Sequence, residues 1–162
     1  MRPSNKIVGG NMNLKVILVG GLVFYVVLFL VSFATGAVVH QNILMETYRA
    51  TPEFWRPELN QDPPDMAALM PLWITCGLIG SFIAAFIYDW VRPALSGAGW
   101  QRGAKFGVIA VLFGAIYTLN WSGVFNLPNK VWLWWWLESI VYLVIGAAAL
   151  GWVVEKLSPA KN

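Results

Sequence analysis

The stretch that decides the fold is residues 130–154, which read KVWLWWWLESIVYLVIGAAALGWVV. A run of about 20 predominantly apolar residues is long enough to cross a lipid bilayer as a helix. This run contains one carboxylate, Glu138. An ionisable group deep in the hydrocarbon layer is a functional-site hypothesis by default. The stretch therefore predicts a transmembrane helix that carries a candidate site.

Three further apolar blocks have a similar length, and they cover residues 16–39, 66–90 and 102–125. The 162 residues are 58% hydrophobic and 12% charged, whereas a soluble domain is about 25% charged. We therefore predict an all-α integral membrane protein, a four-transmembrane-helix bundle over residues 16–154. The equal spacing of Ile79-Gly80 to Asp89 and of Ile145-Gly146 to Glu155 also leaves open two repeated helical hairpins.

The segments outside the apolar blocks are short. We expect a polar N-terminal tail at 1–15, an external loop at 40–65 and a C-terminal tail at 155–162. The run Met12-Asn13-Leu14-Lys15 reads like a natural start, so two interpretations of the first eleven residues stay open, a native tail and an extension. Eight of the eleven Lys and Arg residues lie on the side of the two termini. Because Lys and Arg favour the cytoplasmic face, we expect both termini in the cytoplasm.

Tryptophan is concentrated near the ends of the predicted helices. Because indole is apolar and carries one donor, it is typical of the membrane interface. Four indoles within residues 132–136 point around the whole helix, so at least one is expected to face other protein or a ligand. The predicted interfacial anchors are Trp132, Trp134, Trp135, Trp136, Trp73, Trp90 and Trp152.

Small residues recur at helical spacing along the predicted helices. Such residues let two membrane helices approach closely, since packing rather than hydrophobic burial drives their association. The residues predicted to pack in this way are Gly103, Gly107, Gly114, Gly77, Ser81 and Gly146. If they also hold subunits together, large residues at Gly107 and Gly114 are expected to break assembly.

Several polar residues fall at one depth in the outer half of the predicted bundle. They are Ser32, Thr75, Tyr117, Asn120, Glu138 and Tyr142. We predict no Lys, Arg or His at the depth of Glu138, and burial then favours a neutral carboxyl group that donates a hydrogen bond. Three interpretations stay open: a structural Glu held by Tyr117 or Asn120, a ligand or proton site, and an ion pair with a partner subunit.

The single histidine, His40, is predicted to lie at the outer membrane edge. An interfacial role is the simplest interpretation, and a haem ligand with Met45 or Met70, or a pH sensor, are the alternatives. The different depths of His40 and Glu138 argue against a direct pair.

Several classes of function lack the residues they need. One cysteine, Cys76, cannot form an internal disulfide or a Cys-x-x-Cys pair. The sequence has no metal-ligand cluster and no phosphate-binding, metalloprotease or hydrolase motif. We predict no cofactor, no metal and no nucleic-acid partner.

The layout resembles the small four-helix inner-membrane proteins of bacteria. The resemblance lies in the start at residues 12–16, in Gly103 and Gly107 opening the third helix, and in the turn Asn126-Leu127-Pro128. It implies the fold and a multi-pass location in the bacterial inner (plasma) membrane, and no activity.

The leading functional prediction is non-catalytic. We expect a subunit or assembly partner of a larger membrane complex, or a homo-oligomer, whose partners are the lipid bilayer and other protein chains. The alternative is a binder or transporter of a small apolar or weakly acidic ligand at Glu138. A membrane enzyme that uses Glu138 with His40 is the third interpretation.

Overall fold

A computed structural model of the chain describes residues 13–159. In this part of the chain all regular structure is helical, so the predicted all-α class is confirmed for it. The α-helices are α1 (Leu14–Val38), α2 (Met45–Arg49), α3 (Met66–Val91), α4 (Gly99–Ser122) and α5 (Asn129–Leu157). The predicted N-terminal extension and most of the N-terminal tail lie outside the described residues, as do 160–162.

In the described part of the chain, four helical segments are long and apolar enough to cross a membrane, namely Leu14–Ile43, Met66–Ala94, Gly99–Ser122 and Asn129–Leu157. The helix predicted at 102–125 lies at Gly99–Ser122, and the one predicted at 130–154 continues to Leu157. Gly97, just before α4, has a φ of 110°, a conformation that only glycine adopts readily. Length and composition suit a multi-pass membrane protein.

The central pair of the bundle is formed by α1 and α5, which run antiparallel. Phe24 of α1 and Leu150 of α5 are buried between them, and Gly146 lies against the ring of Phe24. The helices α3 and α4 flank this pair, α3 on α1 and α4 on α5. They meet near one end, where the ring centroids of Tyr88 and Phe106 are 5.5 Å apart.

The contact between α4 and α5 depends on small residues. A methyl group at Gly103 would overlap the carbonyl oxygen of Ala147, and one at Gly107 would lie 2.8 Å from the carbonyl oxygen of Leu143. On the other flank, a methyl group at Gly77 would lie 2.7 Å from the ring of Tyr25. Ser81 is also buried.

Gly114 is the exception among the residues predicted to pack. A methyl group there would meet no other helix within 4 Å, so Gly114 lies at no close helix–helix contact within residues 13–159. Gly80 is equally open, whereas Gly146 packs on Phe24. The corresponding glycines of the two hairpins thus have different surroundings, and the internal repeat stays a prediction.

Paired charges gather at the end of the bundle where the described chain begins and ends. Arg92 contacts Asp89 at 3.0 Å and donates to the carbonyl oxygen of Ser158 at 2.6 Å. The backbone N–H of Asn13 donates to Asp89, so residues 13 and 158 lie at the same end. Arg102 pairs with Glu155 at 3.1 Å and closes this end of α4 on α5.

The loop after α1 folds over the opposite end. It begins with a wide π-helical turn, Val39–Ile43, and continues through α2 into two short turns that begin at Pro52 and Pro57. Leu44 of the loop and Val131 of α5 are fully buried against each other. The loop therefore packs on the first turn of α5 and positions the candidate site below it.

Candidate functional site

Glu138 is the centre of the site, and its side chain is 5% exposed. The Thr35 hydroxyl donates a hydrogen bond to its Oε1 at 2.7 Å. The Nε2 atom of His40 lies 3.0 Å from its Oε2. The prediction that no Lys, Arg or His lies at the depth of Glu138 was therefore wrong, and so was the argument from depth against a pair with His40.

The reason lies in the direction of helical side chains. Every side chain leans toward the N-terminus of its own helix. Since α1 and α5 are antiparallel, His40 and Glu138 lean toward each other and close the gap that separates their backbones. Gly36 leaves room for this approach, because a methyl group there would lie 3.2 Å from the His40 ring.

The pair continues into a chain of hydrogen bonds. The His40 Nδ1 lies 2.7 Å from the Tyr48 hydroxyl, which accepts a hydrogen bond of 2.7 Å from the indole N–H of Trp135. An indole nitrogen only donates, so the Tyr48 proton is free to point at Nδ1. The donors of Trp135, Tyr48 and His40 then each have an acceptor if the imidazole proton is on Nε2. There the proton faces the carboxylate of Glu138.

Tyr48 links the site without releasing a proton. Burial raises the pKa of Tyr48 to about 12; the hydrogen bond from Trp135 lowers this pKa, and the charge of Glu138 raises it. The phenol is thus neutral at physiological pH. Its ring packs edge-on against Trp55, whose N–H donates to the Tyr48 carbonyl oxygen. These two contacts with Trp55 hold Tyr48 against the rest of the loop.

An open pocket of about 390 Å³ lies beside the pair. Its lining residues are Leu28, Ser32, His40, Trp135, Glu138 and Tyr142. The His40 side chain is 41% exposed, so a molecule in the pocket can reach the imidazole. Within residues 13–159, the hydroxyls of Ser32 and Tyr142 form no hydrogen bond. The pocket therefore offers free hydroxyls and an imidazole beside an aromatic wall.

Only half of the predicted polar layer meets at this pocket, namely Ser32, Glu138 and Tyr142. Tyr117 is 68% exposed on α4, and Asn120 is exposed on the same helix. Thr75 is exposed and donates to the carbonyl oxygen of Pro71 at 2.8 Å. The prediction that Tyr117 or Asn120 holds Glu138 was wrong, because equal depth does not place two residues on facing sides of their helices.

Two residues of the site were missed by sequence reasoning, Thr35 and Tyr48. Thr35 follows Ser32 by three residues, a spacing that places both on neighbouring turns of α1, and this polar step was the available signal. Tyr48 carried no comparable signal, since its position depends on how the loop folds back.

The Trp132–Trp136 collar packs largely on its own chain. Trp135 donates a hydrogen bond to Tyr48, and Trp136 donates to the carbonyl oxygen of Val111 at 3.4 Å. Trp134 packs against the buried cluster that contains Leu44 and Val131. The ring of Trp132 stacks on Phe125. The other predicted anchors, Trp73, Trp90 and Trp152, are exposed. Their anchoring role in the membrane interface stays a prediction.

Within residues 13–159, no three side chains of His, Cys, Asp or Glu lie close enough together to hold a metal ion. The site consists of one imidazole, one carboxylate and hydroxyl groups, a set suited to hydrogen bonding and proton exchange. No protein-family model, curated protein or solved structure matches this chain.

Proposed function

We propose that this chain is a multi-pass membrane protein that binds a small apolar or weakly acidic ligand in the pocket beside Glu138. One observation carries the proposal: the 3.0 Å contact between His40 and Glu138 forms part of the wall of an open pocket of about 390 Å³. A buried carboxyl group in an apolar helix is costly, and such groups mark binding sites and proton relays.

Proton exchange is the chemistry that the pocket supports. Its lining contains one carboxylate and neither Lys nor Arg. An anionic ligand beside Glu138 would place two negative charges together, so its binding requires a proton on the ligand, on Glu138 or on His40. Binding of a weak acid is therefore expected to strengthen as the pH falls. If the protein is a transporter, Glu138 is the proton carrier.

The test uses Glu138→Gln, which keeps the size and shape of the side chain and removes its ability to change charge. We expect octanoic acid binding to the protein in lipid nanodiscs to strengthen as the pH falls. In Glu138→Gln this dependence should be lost or strongly reduced while the helical circular dichroism is unchanged.

The matched control is Glu46→Gln, which changes an exposed glutamate of α2 outside the pocket. It should retain the pH dependence of the unmodified protein. Equal pH dependence in Glu138→Gln and the unmodified protein, or no binding at all in the latter, would contradict the proposal.

A second candidate is a non-catalytic subunit or assembly partner of a larger membrane complex, or a homo-oligomer. The observation that favours it is the open surface of α4, where a methyl group at Gly114 would meet no other helix within 4 Å and the neighbouring Phe113 is 63% exposed. Small residues next to large apolar ones are typical of helix–helix interfaces in membranes.

The membrane that we propose is the bacterial inner membrane, with both termini in the cytoplasm. The distribution of Lys and Arg supports this orientation, because eight of the eleven lie on the side of the termini. The pocket then lies in the outer half of the bilayer, below the external loop.

A further inference from the structure

A groove between α3 and α4 lies next to the pocket. It has a volume of about 380 Å³, and nearly all of its lining is apolar or glycine. Its walls include Phe24 of α1, Gly80 and Ile83 of α3, and Phe106 of α4. The groove exists because the two flanking helices pack on different members of the central pair.

The pocket and the groove meet at Leu28, whose side chain lines both. Phe24, Leu28 and Ser32 follow one another at four-residue intervals, so they lie on one face of α1. Phe24 lines the groove, Ser32 lines the pocket and Leu28 joins them. The two spaces therefore border the same residue, and an elongated molecule that filled both would pass over Leu28.

The two spaces differ sharply in chemistry. The pocket has an imidazole, a carboxylate and two free hydroxyls, whereas the groove has Ser81 as its one hydroxyl residue and no charged residue in its lining. Such a pair of spaces matches an amphiphile with a small polar head and one apolar chain.

The charges of the pocket restrict the head group. A phosphate head carries a permanent negative charge, and the pocket lining contains no Lys or Arg to balance it. A carboxyl group can enter with its proton and then exchange hydrogen bonds with the Ser32 and Tyr142 hydroxyls, since both nitrogens of His40 are already engaged by Tyr48 and Glu138. Resting on the proposed function of the pocket, we infer that the ligand is a long-chain carboxylic acid whose head lies in the pocket and whose chain lies in the groove.

Gly80 provides the decisive variant. A methyl group at Gly80 would meet no other helix within 4 Å, and Gly80 lines the groove, so we expect a larger side chain there to project into the groove. Gly80→Leu is expected to weaken oleic acid binding in nanodiscs about tenfold, the effect of withdrawing roughly two methylene groups from contact. Octanoic acid, which is short enough for the pocket, should bind the variant and the unmodified protein equally.

The matched control is Ala67→Leu, which adds apolar bulk to an exposed position of α3 outside the groove. It should leave the binding of both acids unchanged. A second readout is Cys76, the single cysteine, which lines the groove. Oleic acid should slow the labelling of Cys76 by a membrane-permeant maleimide, and octanoic acid should not.

The head group is tested with methyl oleate, which keeps the chain and lacks the acidic proton. Its binding should be much weaker than that of oleic acid. If methyl oleate and oleic acid bind equally, or if oleic acid binding is unchanged by Gly80→Leu and leaves Cys76 labelling unaffected, the inference is overturned. In that result the pocket function still stands, provided that octanoic acid binds with the pH dependence set by Glu138. Absence of binding by either acid would overturn both.

Discussion

At the scale of single residues, Tyr48 is the link that makes the site one unit. Its hydroxyl contacts His40 on one side and Trp135 on the other, both at 2.7 Å. The bond with Trp135 joins α2 to α5, and the bond with His40 joins α2 to the turn that follows α1. The orientation of the His40 ring, and with it the proton that faces Glu138, therefore depends on Tyr48.

Replacing Tyr48 by phenylalanine should destabilise the protein by about 1–3 kcal/mol, because the half-buried N–H of Trp135 loses its acceptor. Chemical unfolding followed by circular dichroism measures this loss. The control is Tyr117→Phe, which removes a hydroxyl from a side chain that is 68% exposed. A loss no larger in Tyr48→Phe than in Tyr117→Phe would contradict the role of the link.

Ionisation of the Tyr48 hydroxyl lowers the stability of the folded protein at alkaline pH. The pKa of Tyr48 is raised from 10.0 to about 12, so the folded protein favours the neutral phenol. This contribution to stability is fully present below about pH 10 and is lost as the pH rises through about 12. The hydrogen-bond chain should therefore be intact throughout the physiological range.

At the scale of helices, α4 and α5 form the tightest pair, and glycine makes it so. The sequence predicted Gly103 as a packing residue from its spacing, and the structure brings its backbone against the Ala147 carbonyl group. The sequence could not predict which helix packs against Gly103 of α4, because a stripe of small residues suits any partner helix. Gly114 has the same spacing and lies in open space.

Alanine substitutions at Gly103 and Gly114 should change the free energy of unfolding in opposite directions. Gly103→Ala forces α4 away from α5 and should destabilise the protein by about 1–3 kcal/mol, the usual cost of overpacking. Gly114→Ala meets no atom and should stabilise its helix by about 0.5–1 kcal/mol, since alanine is the better helix former. Thermal unfolding in the same detergent compares them. Equal shifts in both variants would show that α4 does not pack on α5 through Gly103.

At the scale of the whole molecule, the order α3, α1, α5, α4 leaves much of α3 and α4 without a neighbour in the chain. This arrangement creates the groove and also exposes the surface around Gly114. A ligand in the groove and a partner on α4 occupy different surfaces, so the two proposed functions are compatible.

Assembly is tested at Gly114 rather than at Gly107. A large side chain at Gly107 would clash with α5 of the same chain. Loss of assembly in a Gly107 variant could therefore result from misfolding of the single chain. Gly114→Leu should remove co-purifying subunits, or reduce an oligomer to a monomer, in native mass spectrometry of the protein solubilised from its own membrane. An unchanged assembly, or a lone chain in the unmodified protein, would count against the subunit function.

The sequence by itself determined the four long helices, because a membrane-length apolar run is a property of consecutive residues. It also identified Glu138, since one carboxylate within such a run is visible without a structure. Only the tertiary structure decided what Glu138 touches. That choice depends on the rotation and register of α1 against α5, which follow from the fit of small residues and from side chains that lean toward each other across antiparallel helices. These long-range relations joined His40, Thr35 and Tyr48 to the site and left Tyr117, Asn120 and Thr75 outside it.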